Sequence, residues 1–230
     1  MKRIGVLGGM SWESSAEYYR IINELVAERL GGYHSADIVM VSVDFDPIEQ
    51  MQRDARWDDA AAVLIEAARS CERAGAECLL LATNTMHLVF DQLEAATQAP
   101  WIHIADPTAR AAKAHGTHVV GLLGTAFTME QSFYRERLEK RFGLKVVIPD
   151  EDDRALVHQV IFDELVRGVI RPESRRAYTR VAGRLVDQGA QAIILGCTEI
   201  GMLLKEEDVP VPALDTTSLH AEAAVDFALS

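Results

Sequence analysis

The sequence predicts an α/β protein of two similar parallel-sheet domains, related by a pseudo-twofold axis, with the active site in the cleft between them. Along the 230 residues, short apolar runs alternate with longer amphipathic stretches, which is typical of parallel strands joined by helices. Two segments also recur. GAECLLLATNT at 75–85 resembles GAQAIILGCTE at 189–199, and IGVLGG at 4–9 resembles VGLLGT at 120–125. The similar offset of the two pairs indicates a duplicated unit.

Eight segments are rich in Val, Ile and Leu without strict alternation, as expected of strands covered on both faces. These predicted strands are Arg3–Leu7, Ile38–Val43, Cys78–Ala82, Trp101–Ile104, Val119–Leu123, Lys145–Ile148, Ala192–Leu195 and Val211–Ala213.

The amphipathic stretches between the strands predict helices. The clearest are Ser14–Leu30, Trp57–Ala74, Phe127–Phe142, Asp152–Arg167 and Glu173–Gln188. Glycines follow several of them, at Gly31-Gly32, Gly75, Gly143 and Gly189, where a left-handed residue commonly ends a helix. We expect Asp152 to be an N-cap and Pro172 to begin the next helix.

Two domains of four strands each follow from this order. We expect a first domain over residues 1–100 and a second over 101–210. The last segment, 211–230, is expected to pack back onto the first domain.

Composition excludes several classes of function. The formal net charge is −12 and Lys and Arg are not clustered, which argues against nucleic acid as a partner. No apolar run reaches the roughly 20 residues that span a bilayer, and the apolar stretch near the start is too short for a signal peptide. Three cysteines do not make a disulfide framework. We therefore expect a cytoplasmic protein with no membrane contact.

Ligands of open α/β sheets bind at the carboxyl ends of the strands. That rule predicts one cavity lined by the segments that follow four strands. They are Gly8-Gly9-Met10, Thr83-Asn84-Thr85, Gly124-Thr125 and Cys197-Thr198-Glu199.

Cys197 has the most reactive side chain of this set. A free cysteine is often a small buried apolar residue. Alternatively, Cys197 is a base or nucleophile whose pKa is lowered by backbone N–H groups at a strand-to-helix turn. Its placement in the repeat opposite Thr83 favours the second interpretation. Cys71 and Cys78 lie within a helix and at a strand start, so we expect both to be packing residues.

The remaining strand-end residues predict an anion site. Thr83-Asn84-Thr85 is either a polar turn or a cradle for a carboxylate, and Thr198 would be its counterpart in the second domain. Glu199 could bind a substrate amine, tune the thiol of Cys197 or favour the helix dipole. His87 could face the cavity or pack in the core.

Cofactor and metal sites are not indicated. The GVLGGM segment lacks the G-x-G-x-x-G spacing, and no P-loop lysine follows it. His115 and His118 have no neighbouring cysteine or carboxylate partners of the kind a metal site needs. We expect neither a cofactor nor a metal ion.

The chain resembles the aspartate/glutamate racemases, which are independent of cofactors, including pyridoxal phosphate (PLP). The resemblance covers essentially the whole chain. It rests on GVLGGMSWESSAEYY near the start, NTMH at 84–87, GCTEIG at 196–201 and LDTTSLHAEAAVDFAL near the end. In this family both catalytic strand-end residues are usually Cys, one acting as base and the other as acid. Here the resemblance places Cys197 at the second position and Thr83 at the first, as in a subgroup with Thr there.

The resemblance also implies the rest of the site. Met10, Gln52, Asn84, Thr85 and Thr198 map to positions that line the substrate site. Arg167 falls where some members carry a lysine near the substrate side chain, and we add Thr125 and Glu199 from the strand-end rule.

The implied reaction is racemisation of aspartate or glutamate by removal and return of the α-proton. A thiol can be tuned into the working pKa range, whereas a threonine hydroxyl can donate a proton but is a poor base. The two faces should therefore differ, and the resemblance to the Thr-bearing subgroup implies a kinetic bias toward the L substrate. We expect an isomerase that makes D-amino acids, and we expect a homodimer. The alternatives are a single-Cys decarboxylase or maleate-type isomerase of the same architecture, or a non-catalytic amino-acid binding protein.

Overall fold

A computed structural model describes residues 1–230 as an α/β protein with two four-stranded parallel sheets. The strands are β1 (Ile4–Gly8), β2 (Ile38–Ser42), β3 (Cys78–Leu81), β4 (Trp101–Ile102), β5 (Val119–Gly124), β6 (Lys145–Val147), β7 (Ala192–Gly196) and β8 (Ala213–Asp215). The sheet orders are β2-β1-β3-β4 and β6-β5-β7-β8, so both sheets have the same topology. The predicted α/β class with two similar parallel sheets is confirmed.

Eleven α-helices connect or follow the strands. They are α1 (Trp12–Leu30), α2 (Phe45–Arg53), α3 (Trp57–Arg73), α4 (Phe90–Ala95), α5 (Ala105–Ala114), α6 (Ala126–Glu130), α7 (Ser132–Phe142), α8 (Glu151–Asp163), α9 (Pro172–Asp187), α10 (Ile200–Leu203) and α11 (Thr216–Leu229). Short 3₁₀ helices cover Thr85–Val89, Leu165–Arg167 and Glu206–Asp208. No helix combines the length and apolar character needed to cross a membrane.

The first compact unit comprises Met1–His103 together with His220–Ser230. Both faces of its sheet are covered, as its buried β1 and β3 require. On one face, Leu7, Leu79 and Leu81 pack with α3. On the other face, Ile4, Val6 and Leu80 pack with residues of α1 and with the alanines of α11.

The second compact unit comprises Ile104–Leu219. A single apolar cluster surrounds β5 and β7, and its largest fully buried side chains are Tyr134 and Tyr178. The segment that returns to the first unit begins at His220, later than the residue 211 expected from the sequence. The reason is that β8 pairs with β7 and so belongs to the second sheet.

Several element boundaries differ from the prediction. The N-cap of α8 is Asp150, whose Oδ1 accepts the N–H of Asp153 at 3.0 Å, and the expected cap Asp152 lies inside the helix. The predicted helix 127–142 is divided at Gln131, which is extended. Pro172 begins α9, and the helix-ending glycines have positive φ, as predicted.

Candidate functional site

In the first unit, strand register brings the two predicted turns together. Leu7 of β1 lies level with Leu81 of β3, so the turn Gly8–Met10 and the turn Thr83–Thr85 leave neighbouring strands at the same edge of the sheet. Met10, Thr83, Asn84 and Thr85 are all buried. The structure therefore places four of the predicted residues at one edge of the first sheet.

The glycine turn after β1 is held by serine hydroxyls of α1. The N–H of Gly9 donates to Ser15 Oγ at 2.7 Å, and Ser15 Oγ donates to the carbonyl of Ser11 at 2.9 Å. A Cβ on Gly9, where φ is +91°, would lie 2.1 Å from the carbonyl oxygen of Val43. Only glycine fits this turn, which also contains a cis peptide bond between Met10 and Ser11.

The turn after β3 is held by His87. Its Nδ1 lies 2.8 Å from the carbonyl oxygen of Thr83, and because a carbonyl only accepts, Nδ1 carries the proton. The His87 ring stacks on Phe90 and lies 4.4 Å, centroid to centroid, from His103. His87 therefore positions the Thr83 turn from inside the protein.

Gln52 reaches the same region from α2, a helix that the sequence analysis did not identify. The side chain is buried, and its Nε2 donates to the Met86 sulfur at 3.1 Å. Met86 directly follows Thr85, so Gln52 supports the turn that carries the predicted anion cradle.

A buried histidine is a further part of this unit that the sequence analysis missed. His220 accepts the hydroxyl of Tyr18 at Nδ1, at 2.8 Å, and donates from Nε2 to the carbonyl of Ile102, at 2.6 Å. The available signal was the closing LDTTSLHAEAAVDFAL segment, which contains His220 and carried part of the family resemblance.

In the second unit, glycines let β5 and β7 end close together. Gly124 lies level with Gly196, and a Cβ on Gly124 would lie 2.8 Å from the Gly196 carbonyl oxygen. The next residues, Thr125 and Cys197, therefore leave neighbouring strands at one edge of the sheet. Thr125 caps α6 by accepting the N–H of Thr128 at 3.2 Å.

Cys197 is paired with a carboxylate. Its Sγ donates to Glu199 Oε2 at 3.0 Å, and the hydroxyl of Thr198 donates to the same oxygen at 2.7 Å. All three side chains are buried. The turn thus contains a thiol and a carboxylate that can share a proton.

The expected lowering of the Cys197 pKa is wrong. Burial raises the pKa of this thiol well above its usual value, and the charge of Glu199 and the hydrogen bond to its carboxylate raise it further. The backbone N–H groups of Glu199 and Ile200 act in the expected direction, but they are outweighed. Cys197 is therefore a protonated thiol at neutral pH in this structure.

The residues after β8 brace this turn from behind. Thr216 Oγ1 donates to the carbonyl of Leu195 at 2.8 Å, and Thr217 Oγ1 lies 3.5 Å from the carbonyl of Thr198. The sequence analysis did not assign them this function, although they lie in the closing LDTTS segment that carried the resemblance.

Arg167 lies beside the same turn. It is the last residue of the 3₁₀ helix Leu165–Arg167, which packs against α10, the helix that directly follows Glu199. Its side chain is exposed. In the second unit the structure therefore groups Cys197, Thr198, Glu199 and Thr125 at one sheet edge, with Arg167 on a neighbouring element.

Comparison with known proteins identifies the family. The profile of the Asp/Glu/Hydantoin racemases matches residues 7–224. A crystal structure of a Yersinia pestis protein provisionally named an Asp/Glu racemase is 51% identical, with a TM-score of 0.92 and complete coverage of both chains. A crystal structure of an aspartate racemase homologue from Pyrococcus horikoshii is 32% identical, with a TM-score of 0.87 and complete coverage of both chains.

A more distant relative extends the comparison. The broad specificity amino-acid racemase RacX of Bacillus subtilis is 22% identical over 99% of this chain and 98% of its own. Proteins named racemases are isomerases. Because the family profile spans nearly the whole chain and two structures are more than 30% identical over all of it, the chain belongs to the Asp/Glu/Hydantoin racemase family.

Proposed function

We propose that this protein is a PLP-independent racemase of acidic amino acids, aspartate or glutamate, in which Cys197 is the main acid and base and Thr83 serves the opposite face of the α-carbon. One observation carries the proposal. Cys197, the only cysteine that follows the carboxyl end of a strand, is buried and donates a hydrogen bond to a carboxylate. It lies in the segment that repeats the Thr83 segment of the first unit.

The Cys197–Glu199 pair supplies a base without a resident thiolate. The thiol proton moves to Glu199, and the thiolate so formed removes the α-proton of the substrate. A buried thiolate is a strong base because burial, the largest cause of the raised pKa of Cys197, disfavours the charged form. In the reverse direction the thiol gives its proton to the carbanion, and the thiolate so formed takes the proton held by Glu199. Glu199 releases one proton to water after each forward turnover and takes one from water before each reverse turnover.

Thr83 makes the two faces unequal. A threonine hydroxyl donates a proton to the carbanion and regains one from water, but it does not persist as an alkoxide at neutral pH. Deprotonation is therefore fast for the enantiomer whose Cα–H meets Cys197, which we propose is the L form. The equilibrium constant between enantiomers is unity, so the bias lies in the individual kcat and KM values, while the two kcat/KM values are equal.

The remaining residues bind the substrate. Donors aimed at the α-carboxylate stabilise the charge that develops in the transition state. In the proposal these donors are Asn84, Thr85, Thr198 and nearby backbone N–H groups. Met10, Gln52 and Thr125 shape the site. Arg167 binds the side-chain carboxylate of the substrate, and Glu199 also lies within reach of its amine.

The test is to incubate L- and D-aspartate and L- and D-glutamate separately in heavy water, and to follow both chirality and α-deuterium. We expect product of inverted configuration that carries deuterium, with the higher kcat from the L side. Binding without exchange of the α-proton would instead indicate a binding protein. Carbon dioxide release from a malonate, or isomerisation of maleate, would indicate one of the single-Cys alternatives.

Two variants separate the catalytic residues. Cys197→Ser should reduce both directions by at least about 100-fold, the lower end of what positioned acid–base catalysis contributes. Thr83→Cys should accelerate the D-to-L direction. Cys71→Ser, another buried cysteine that lies on α3, is the matched control. Full activity in Cys197→Ser would refute Cys197 as the base. An unchanged kcat for the D-to-L direction in Thr83→Cys would refute the proposed inequality of the two faces.

We further propose that the protein belongs to the subgroup with Thr at the first catalytic position, acts in the cytoplasm and forms a homodimer. Light scattering after size exclusion would measure the mass of the particle, and a mass of one chain would refute the dimer.

A further inference from the structure

We infer that His158 is a positioning residue for the substrate-binding turn at Thr125, and that it works only as a neutral imidazole. The inference rests on the proposed function, because it assigns a purpose to a side chain that touches the turn from behind. No family motif named above includes His158.

The contact is a hydrogen bond to the backbone of the turn. The N–H of Ala126 donates to His158 Nδ1 at 3.2 Å. Ala126 directly follows Thr125 and is the first residue of α6, whose first N–H groups have no partner within the helix. The Thr125 side chain accepts the N–H of Thr128. His158 accepts the N–H of Ala126, the first-turn N–H next to Thr125 in the sequence.

The imidazole ring is fixed by aromatic neighbours on both helices. Its centroid lies 6.2 Å from that of Phe127 on α6 and 4.8 Å from that of Phe162 on α8. Since the ring is held on both sides, the direction of the Nδ1 lone pair, and with it the direction of the Ala126 N–H, is set by the packing of α8.

The accepting nitrogen dictates the protonation state. An imidazole that accepts at Nδ1 carries its single proton on Nε2, and the imidazolium form cannot accept at all. Protonation therefore breaks the hydrogen bond to Ala126, because it places the Nδ1–H of His158 opposite the N–H of Ala126. The contact exists at high pH and is lost as the pH falls through the pKa of His158.

The surrounding charges set the range of that change. Burial lowers the pKa of His158 below its usual 6.5, and the carboxylates of Glu130 and Asp163 act in the opposite direction. Glu130, at the end of α6, is bound by Arg154 of α8 at 3.0 Å, which offsets part of its effect. The turn is accordingly held through the neutral range and released under acidic conditions.

The test compares His158→Asn with His158→Leu. Asparagine keeps an acceptor near the position of Nδ1 but does not titrate, whereas leucine removes the acceptor. Ala155→Leu, at an exposed position of the same helix, is the matched control. Loss of one such hydrogen bond corresponds to about a 2- to 10-fold change in an equilibrium constant.

The first readout is hydrogen exchange of the Ala126 amide without substrate, followed against pH. Each rate is divided by the intrinsic exchange rate of an unstructured amide at the same pH, which gives the protection of Ala126. We expect protection at neutral pH in the wild type that decreases as His158 protonates, low protection at all pH values in His158→Leu, and pH-independent protection in His158→Asn. Equal protection in the wild type and His158→Leu would overturn the inference. This readout decides the inference even if no racemisation is found.

The second readout is steady-state kinetics with L-aspartate. We expect His158→Leu to raise KM about 2- to 10-fold with a smaller change in kcat. We expect His158→Asn to keep the wild-type KM at neutral pH and to abolish the increase of KM under acidic conditions that protonation of His158 causes. Altered Ala126 exchange with an unchanged KM would refute the link to substrate binding.

Discussion

Glu199, two residues after Cys197 in the sequence, accepts a hydrogen bond from the Cys197 thiol and so changes the acid–base chemistry of that thiol. The three cysteines of the chain are all buried, and burial is the largest cause of a raised pKa for each of them. For Cys71 and Cys78, burial raises the pKa to about 11 and about 12, and both remain inert thiols. Cys197 differs because its proton points at a carboxylate.

We expect Glu199→Gln to lower the pKa of Cys197. The carboxylate raises that pKa through its charge and through the hydrogen bond that it accepts from the neutral thiol, and the amide removes the charge. The thiolate then forms at lower pH, so alkylation of Cys197 should begin at lower pH than in the wild type. Mass spectrometry after iodoacetamide treatment at a series of pH values measures this for each cysteine.

The other two cysteines provide the internal control for this experiment. Cys71 and Cys78 are fully buried and should stay unmodified in both the wild type and Glu199→Gln while the protein is folded. Despite easier thiolate formation, racemisation should fall, because the thiol has lost the carboxylate that takes its proton. An alkylation profile of Cys197 that is unchanged or shifted to higher pH would contradict the assigned pair.

At the scale of elements, the close approach of β5 and β7 decides where Thr125 and Cys197 lie. Gly124 and Gly196 lie opposite each other in register. Both positions require glycine, because no Cβ fits between the strands there. A methyl group on Gly196 would lie 2.7 Å from Leu122 Cδ1 and 2.8 Å from the carbonyl oxygen of Leu123. The backbone at this point cannot move without moving the turn that carries Cys197.

Gly196→Ala should therefore destabilise the protein by about 1–3 kcal/mol, the usual cost of overpacking. Gly183→Ala is the matched control, since a Cβ there meets nothing within 4 Å and Gly183 lies inside α9. We expect that control to stabilise the protein by about 0.5–1 kcal/mol. Urea unfolding of both variants gives the difference, and equal stabilities would contradict the predicted crowding.

At the scale of the whole molecule, the first unit is incomplete without the end of the chain. Ala221, Ala224, Val225 and Ala228 of α11 lie in its core, and His220 links Tyr18 to the carbonyl of Ile102. The N–H of Lys2 also donates to the carbonyl of Ala228 at 2.8 Å. The Tyr18–His220 and Lys2–Ala228 contacts join residues more than 200 positions apart.

A chain that ends at Leu219 should fail to fold its first unit. The truncation exposes one face of the sheet formed by β1 to β4 and removes the partner of Tyr18. We expect loss of the cooperative thermal transition of this unit, seen by circular dichroism, and greater binding of a hydrophobic dye. A chain that ends at Leu229 keeps all of these contacts and should melt like the full chain. A fully cooperative transition in the shorter chain would contradict the prediction.

The sequence predicted the elements well where local patterns determine them. The glycines after helices and Pro172 at the start of α9 are read from one or two residues, because φ is restricted locally. The cap of α8 was displaced to Asp150, since several acidic residues there satisfy the same local rule. The short helix α2, which carries Gln52, was missed because it has only nine residues and carries Pro47 in its first turn, a pattern that also indicates a loop.

What the sequence alone determined is the α/β class, the duplicated unit, the family and the strand-end positions of Thr83 and Cys197. These follow from repetition and from the rule that parallel strands present their carboxyl ends at one edge. Only the tertiary structure decided the direction of the Cys197 pKa, the contact between His158 and Ala126, and the return of the chain at His220. Each depends on burial or on the direction of side chains from separate elements, and no local pattern encodes either.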